Sequence, residues 1–116
     1  MKTFLAVYLG APESFAKWAQ LSDAERAERE AAGIKAWHAW VEHHKDSIVD
    51  IGGPLGKTLK VSPAGTAPTR NHLTGYTVVR AESHDAAARL FEKHPHFIDF
   101  PGDAAEIMQI LPIPGR

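Results

Sequence analysis

The sequence has 116 residues, enough for one domain, and hydrophobic residues make up 44% of it, an ordinary globular share. Thirteen Lys and Arg against fourteen Asp and Glu leave a net charge of −1, without the basic excess typical of nucleic-acid-binding proteins. The absence of cysteine excludes disulfides, thiolate nucleophiles and cysteine-ligated zinc. The longest early apolar run, Phe4 to Leu9, is too short for a membrane span or a signal-peptide core. We therefore expect a single soluble, cytoplasmic domain over residues 1–116, without nucleic-acid or membrane partners.

The amino-terminal half predicts two strands and two helices. Thr3 to Leu9 is rich in Phe, Val and Tyr and is followed by glycine, which is typical of a strand. A short helix is predicted over Glu13 to Leu21, where apolar residues recur at helical spacing. Ser47 to Ile51 predicts a second strand, which the Gly-Gly-Pro sequence at residues 52–54 is expected to end. Both faces of the first strand are apolar, so both require a covering layer.

The second helix is long and carries an aromatic stripe. The Ser22 hydroxyl can accept a hydrogen bond from the first turn while Glu25 reaches back, and strong helix formers continue to about Lys45. Apolar spacing of three and four residues places four side chains on one stripe: Ile34, Trp37, Val41 and His44. His38 lies at one edge of this stripe and Trp40 at the other.

The carboxyl-terminal half predicts further extended and helical segments. They are a short extended piece over Lys57 to Val61, a strand over Gly75 to Ala81, a helix over His84 to about Lys93 and a last strand over Ala104 to Ile113. Ser62 to Thr74 is rich in Pro, Thr and Gly and is predicted to be a loop. Ser83 is expected to cap the helix and Pro95 to end it, with a loop from His96 to Asp103.

This order predicts an α+β fold, a ferredoxin-like sandwich in which an antiparallel sheet carries two main helices on one face. The helices can cover only that face, although the first strand is apolar on both. The last strand is also largely apolar, at Ile107, Met108, Ile110 and Leu111. Because monomers rarely expose such a large apolar surface, we expect a homodimer formed through the sheet faces.

Six segments, in this order, resemble the YCII-related family and its DGPF-type relatives in the dimeric α+β barrel superfamily. They are residues 1–8, 36–40, 49–55, 75–79, 81–87 and the His94-Pro95 pair. The resemblance covers nearly the whole chain and implies one YCII-like domain whose sheet pairs with a second sheet to close a barrel. It also implies lyase or dehydrochlorinase chemistry on small aromatic compounds, with a His/Asp pair in the pocket. The Asp-Gly-Pro-Phe segment itself is replaced by residues 67–72, so its residue roles do not transfer directly.

Two short motifs imitate known catalytic or binding sites. Gly53 to Thr58 resembles the end of a phosphate-binding loop, but Ile51 stands where that loop needs glycine and no good helix can follow. We interpret it as a turn. The sequence Ser83-His84-Asp85 contains the three residue types of a catalytic triad, but side chains adjacent in sequence cannot form the hydrogen-bonded chain that a triad needs. We therefore interpret Ser83 as a helix N-cap.

His94 and His96 lie on the same side of an extended segment with Asp99 nearby, and such side chains can bind a metal ion. The alternative places His94 at the end of a helix, where a partly positive side chain is favourable. Because the spacing sets no third ligand, we expect no metal site. The neighbours His43 and His44 diverge by about 100° on a helix and cannot easily share an ion.

The most informative candidate site lies at the centre of the long helix. His38 between aromatic surfaces could act as a general base with a pKa near neutrality. Its partner could be the carboxylate of Asp50, or His72 could reach in from the long loop, and a structural Arg80–Asp50 pair is the alternative. Six residues are predicted to bind a ligand between helix and sheet: Tyr8, Trp37, Trp40, Val41, Gly53 and Pro54.

Three functional hypotheses remain open. The first is a module that binds a small, possibly aromatic molecule in this pocket. The second is a lyase or dehydrochlorinase-like acid/base enzyme that needs no cofactor, and the third is a structural or interaction protein without a pocket. Seven histidines are too many to choose among by spacing alone.

Overall fold

A computed structural model describes residues 1–115 of the chain. The helices are α1 (Pro12–Ala19), α2 (Asp23–His43), α3 (His84–Arg89) and α4 (Pro95–Ile98). The strands are β1 (Lys2–Leu9), β2 (Ile48–Pro54), β3 (Thr58–Ser62), β4 (Gly65–Thr69), β5 (Leu73–Ala81) and β6 (Ala104–Gln109). A single 3-10 turn, Lys45–Ser47, joins α2 to β2.

Four strands form one sheet in the order β2-β5-β1-β6, and every neighbouring pair is antiparallel. β1 and β5 are central, and the helices cover one face of the sheet. This arrangement confirms the predicted ferredoxin-like α+β fold. Strands β3 and β4 form a separate two-stranded hairpin.

Alternation along the two central strands builds the core. Phe4, Ala6 and Tyr8 point towards the helices and are almost fully buried, while the residues between them are only half-buried. Val79 and Thr77 are their buried neighbours on β5. Ala86 and Ala87 of α3, with Leu90 and Phe91 just after it, pack against this layer.

The buried side of α2 differs from the predicted stripe. Ile34 is 53% exposed, whereas Trp40, expected at the edge, is 8% exposed and belongs to the core. Its indole Nε1 donates a hydrogen bond to the backbone carbonyl of Leu90 at 2.9 Å. The helix rotates this way because Gly33 is buried against the Phe100 ring, where a Cβ atom would lie within 2.5 Å of it. Both predicted helix caps are confirmed: Ser22 and Glu25 form the capping box, and the Ser83 hydroxyl accepts from Ala86.

Two extended regions were predicted incorrectly. The Gly-Gly-Pro sequence does not end β2, which continues to Pro54 as an edge strand, where proline is tolerated. Gly52 allows this continuation because it adopts a left-handed φ of 72° at an irregularity in the pairing with β5. The predicted loop from Ser62 to Thr74 contains β4 and the start of β5. Gly53 and Pro54 belong to β2, Thr58 begins β3, and residues 55–57 connect them without regular secondary structure, so the predicted turn is not formed.

The segment after α3 also differs from its prediction. The helix ends at Arg89 rather than near Lys93, and Lys93 takes a left-handed φ of 56°. Pro95 then begins α4 instead of only ending a helix, since proline is favoured in the first turn. β6 ends at Gln109, four residues earlier than expected. No helix in the described part of the chain is long and apolar enough to span a membrane.

Candidate functional site

A cavity of about 710 Å³ lies between α2 and the sheet, beside β2 and the start of β5. Five aromatic residues line it: Tyr8, Phe15, Trp37, Tyr76 and Phe100. Most of the remaining wall is aliphatic or glycine backbone, including Ile34, Val41 and Ile51. Such a cavity has the size and character of a small-molecule site, because apolar walls supply the contact area and a few polar atoms set orientation.

The structure brings most of the predicted ligand-binding residues to this cavity. Tyr8, Trp37, Val41, Gly53 and Pro54 all line it. Trp40, by contrast, lies behind the wall in the core. Helix α2 and the ends of β1 and β2 therefore contribute predicted residues to one cavity.

The three predicted catalytic residues do not meet in one place. His38 lines the cavity, with its side chain exposed at the rim. Asp50 and His72 are exposed and lie outside the residues that form the wall. The Asp50 carboxylate accepts hydrogen bonds from Gly52 N at 2.9 Å and from the Tyr76 hydroxyl at 3.3 Å.

The predicted Arg80–Asp50 pair is not formed among residues 1–115. The Arg80 guanidinium instead donates through Nε to the backbone carbonyl of Asp46 at 3.1 Å. This bond holds the side chain near the 3-10 turn before β2. Asp50 lies further along β2, and its carboxylate accepts from Gly52 N and from the Tyr76 hydroxyl instead.

A fully buried histidine, His94, lies directly behind the cavity wall. Its ring centroid is 4.4 Å from that of Trp37, 4.5 Å from that of Trp40 and 5.1 Å from that of Tyr8. Nδ1 of His94 accepts a hydrogen bond from the backbone N–H of His96 at 3.0 Å and so caps α4. The proton of the neutral ring is therefore on Nε2.

Nε2 of His94 is 3.5 Å from the Tyr8 hydroxyl, and that hydroxyl is 2.7 Å from Oγ1 of Thr77. Thr77 donates its own proton to the carbonyl of Ile51 at 2.9 Å, so it accepts from Tyr8. Burial raises the pKa of Tyr8 to about 12, although the bond to Thr77 acts in the opposite direction. Burial, helped by the neighbouring His96 and His44, lowers the pKa of His94 to about 3. Both side chains are therefore neutral at pH 7.

A second histidine, His96, is 5% exposed and forms part of the cavity wall. Its Nε2 lies 2.9 Å from the carbonyl of Leu9 and 3.1 Å from that of Ala104. Carbonyl oxygens only accept hydrogen bonds, so Nε2 carries the proton and Nδ1 is an acceptor in the neutral ring. Burial lowers the pKa of His96, while the two carbonyls and Asp103 oppose that change.

The close fit of the His96 ring depends on Gly102. A Cβ atom on Gly102 would collide with the imidazole, so only glycine lets the 100–102 segment cross the ring. This segment also brings Phe100 and Pro101 to the cavity. Neither the ring orientation nor this crossing is visible in the sequence, where the His-Pro-His spacing was the only signal and indicated a possible metal site.

The structure uses these histidines in another way. Both ring nitrogens of His94 are engaged by protein groups, and His96 directs Nε2 at two carbonyls. Across residues 1–115, no group of three or more His, Cys, Asp or Glu side chains is placed to hold a metal ion. The Ser-His-Asp sequence likewise forms no triad, because His84 stacks on Phe4 and approaches the carbonyl of Ile107 at 2.7 Å.

Comparison with protein-family models and with curated proteins finds no match to this chain. Among solved structures, the chain is similar to 5-chloro-2-hydroxyhydroquinone dehydrochlorinase (TftG) from Burkholderia phenoliruptrix AC1100, in complex with 2,5-dihydroxybenzoquinone. The two sequences are 22% identical, and the match covers 94% of this chain and 93% of the other, with a TM-score of 0.52. The likeness establishes the fold.

Proposed function

We propose that this protein binds a small, flat and largely apolar molecule in the cavity between α2 and the sheet. The observation that carries the proposal is the wall itself, in which five aromatic residues border a space of about 710 Å³. Aromatic rings bind other rings through stacked and edge-to-face contacts in addition to apolar burial. Trp37 already makes edge contacts with Tyr8 and Phe100, at centroid distances of 5.2 and 5.9 Å, so this part of the wall is preformed.

The structural neighbour supports this proposal. TftG, which has the same fold, was solved with 2,5-dihydroxybenzoquinone, a small flat ring. From TftG we transfer to this protein only the class of ligand, which is a substituted six-membered ring. Membership of the YCII-related family and a cytoplasmic location are proposals that rest on the sequence.

Acid/base catalysis of the lyase type is a second candidate function. It is favoured by two imidazoles, His38 and His96, that line one apolar cavity, since neutral imidazole can accept a proton near pH 7. The narrower proposal made from the sequence assigns His38 as the base with Asp50 or His72 as its partner. Release of halide from a chlorinated hydroquinone would support the enzyme, whereas saturable binding without product over hours would support a binding module.

We also propose that the protein is a homodimer formed through the outer face of the sheet. Leu5, Val7 and Val78 on that face are half-buried, and Met108 is 43% exposed. A second copy packed against these side chains would remove them from water. Sedimentation velocity measures the mass of the particle and tests this proposal.

Filling the cavity tests the binding proposal. Val41 lines the cavity from α2, and Val41→Phe adds a ring inside it. We expect at least tenfold weaker binding of a ring ligand such as hydroquinone, measured by isothermal titration calorimetry. The matched control is Val61→Phe on the hairpin, where Val61 is 78% exposed and far from the wall. Equal affinity in both variants would contradict the assignment of the site.

A further inference from the structure

Three polar side chains in the cavity wall are already engaged by the protein. The Tyr8 hydroxyl bonds to Thr77, and the Tyr76 hydroxyl donates to Asp50. Thr74 donates its hydroxyl proton to the backbone carbonyl of Tyr8 at 3.1 Å. These hydroxyl protons are already used, so a bound molecule cannot accept one of them without breaking an existing hydrogen bond, which would cost free energy, although the hydroxyl oxygens can still accept.

Three polar side chains of the wall remain: the indole N–H of Trp37, which can only donate, and the imidazoles of His38 and His96. The two imidazoles differ in how firmly they are held. His38 is exposed at the rim, and within the described chain its ring makes no hydrogen bond that would fix its orientation. His96 is 5% exposed, and its Nε2 donates to two backbone carbonyls. Gly102 packs against its ring. Its Nδ1 accepts no hydrogen bond from residues 1–115, and every fully buried side-chain N or O in that range has a partner. Nδ1 is therefore not fully buried, and His96 is one of the residues that line the cavity.

We propose that Nδ1 of His96 is the fixed acceptor that selects the ligand, so that the cavity prefers rings carrying a hydroxyl group over otherwise identical rings without one. This inference rests on the proposed function, because it requires a ring in the cavity. The donor must come from the ligand, since Nε2 holds the only proton of the neutral imidazole. A hydroxyl is the group that satisfies one acceptor while leaving the rest of an apolar ring against the aromatic wall.

Electrostatics keeps this acceptor in its neutral form near pH 7. Burial lowers the pKa of His96, and the fully buried His94 beside it is neutral as well. Asp103 is the acidic group that acts on His96 in the opposite direction. Tyr8, whose ring centroid is 5.0 Å from that of His96, does not ionise below about pH 12.

A matched pair of ligands tests the inference. 2-Naphthol carries a hydroxyl, and 2-methoxynaphthalene has the same rings without a donor. At pH 7 we expect wild-type protein to bind 2-naphthol about five- to tenfold more tightly in equilibrium dialysis, the ratio that one neutral hydrogen bond contributes. His96→Phe retains a ring but removes the acceptor, and in this variant the preference should fall to about twofold or less. His96→Gln supplies an amide N–H for the two carbonyls and an amide oxygen that can still accept, so it should keep part of the preference.

A measurement on the wild-type protein tests the same inference without depending on whether a variant folds. In wild-type protein labelled with ¹⁵N-histidine, 2-naphthol should shift the Nδ1 resonance of His96, while 2-methoxynaphthalene should leave it nearly unchanged. The substitution His43→Gln, at an exposed position of α2 outside the cavity wall, controls for general effects of losing a histidine.

The outcomes separate the two proposals. If neither ligand binds, the proposed function fails and the inference fails with it. If both ligands bind wild-type protein equally, the cavity binds rings but His96 does not select them, and the inference is overturned alone. The inference is also overturned if His38→Phe removes the preference while His96→Phe keeps it, because the acceptor is then His38.

Discussion

Acidification from pH 7 to pH 5 should destabilise this protein chiefly through His94. In the folded protein the pKa of His94 is about 3, because the ring is completely buried among aromatic side chains. In the unfolded chain a histidine has a pKa of about 6.5. Between these two pH values the unfolded chain binds a proton that the folded protein does not bind. The stabilisation from a neutral His94 is therefore complete above about pH 6.5 and declines as the pH falls towards 3.

The size of this effect follows from linkage. Each pH unit below the unfolded pKa removes about 1.4 kcal/mol from the free energy of unfolding. Between pH 7 and pH 5 the loss from His94 is about 2 kcal/mol. This figure requires only that the folded pKa lies well below 5, so it does not depend on the exact value near 3. Burial also lowers the pKa values of His96 and His44, which adds destabilisation in the same direction.

The assay is urea unfolding followed by tryptophan fluorescence at pH 7 and pH 5, with His94→Asn as the comparison. Asparagine does not titrate, and its carbonyl can still accept from the N–H of His96 as a helix cap. The variant should be less stable than wild type at pH 7 but should lose about 2 kcal/mol less on acidification. His96, His44 and the carboxylates are present in both proteins, so their contributions largely cancel. Equal losses in the two proteins would refute the burial argument for His94.

Two further predictions concern the tyrosine network and the sheet. Tyr8→Phe removes the hydroxyl that donates to buried Thr77 and should cost about 1 to 3 kcal/mol in chemical denaturation, because a buried polar group loses its partner. Tyr76→Phe loses only an exposed bond to Asp50 and should cost less than about 0.5 kcal/mol, so equal costs would contradict this account. Val7→Lys places a charge on the outer sheet face and should convert the proposed dimer into a folded monomer in sedimentation velocity, whereas an unchanged mass would locate the interface elsewhere.

Local patterns were sufficient to predict the main helices and the four strands of the sheet, while β4 and α4 were missed. The capping residues Ser22 and Ser83 act within a few residues of their own position, so sequence spacing locates them well, and both caps are confirmed. The sequence left open which face of β1 would be buried, because both faces are apolar. The structure buries Phe4 and Tyr8, on the face towards the helices.

Predictions failed where distant segments decide the outcome. β4 has a Gly-Thr-Ala-Pro-Thr sequence with weak strand propensity, and it is extended because it pairs with β3. Trp40 is buried instead of Ile34 because Phe100, far along the chain, packs on Gly33 and sets the rotation of α2.

The sequence by itself determined the fold class, the long aromatic helix and six of the residues that line the cavity. Only the tertiary structure decided which histidine is held there. His96 occupies the wall because the carbonyls of Leu9 and Ala104 fix its Nε2, and because Gly102 leaves room for the ring. Those partners lie on strands and a loop whose proximity results from antiparallel pairing of β1 with β6. Spacing along one chain cannot show such a meeting, since it reports neighbours in sequence and not neighbours across a sheet.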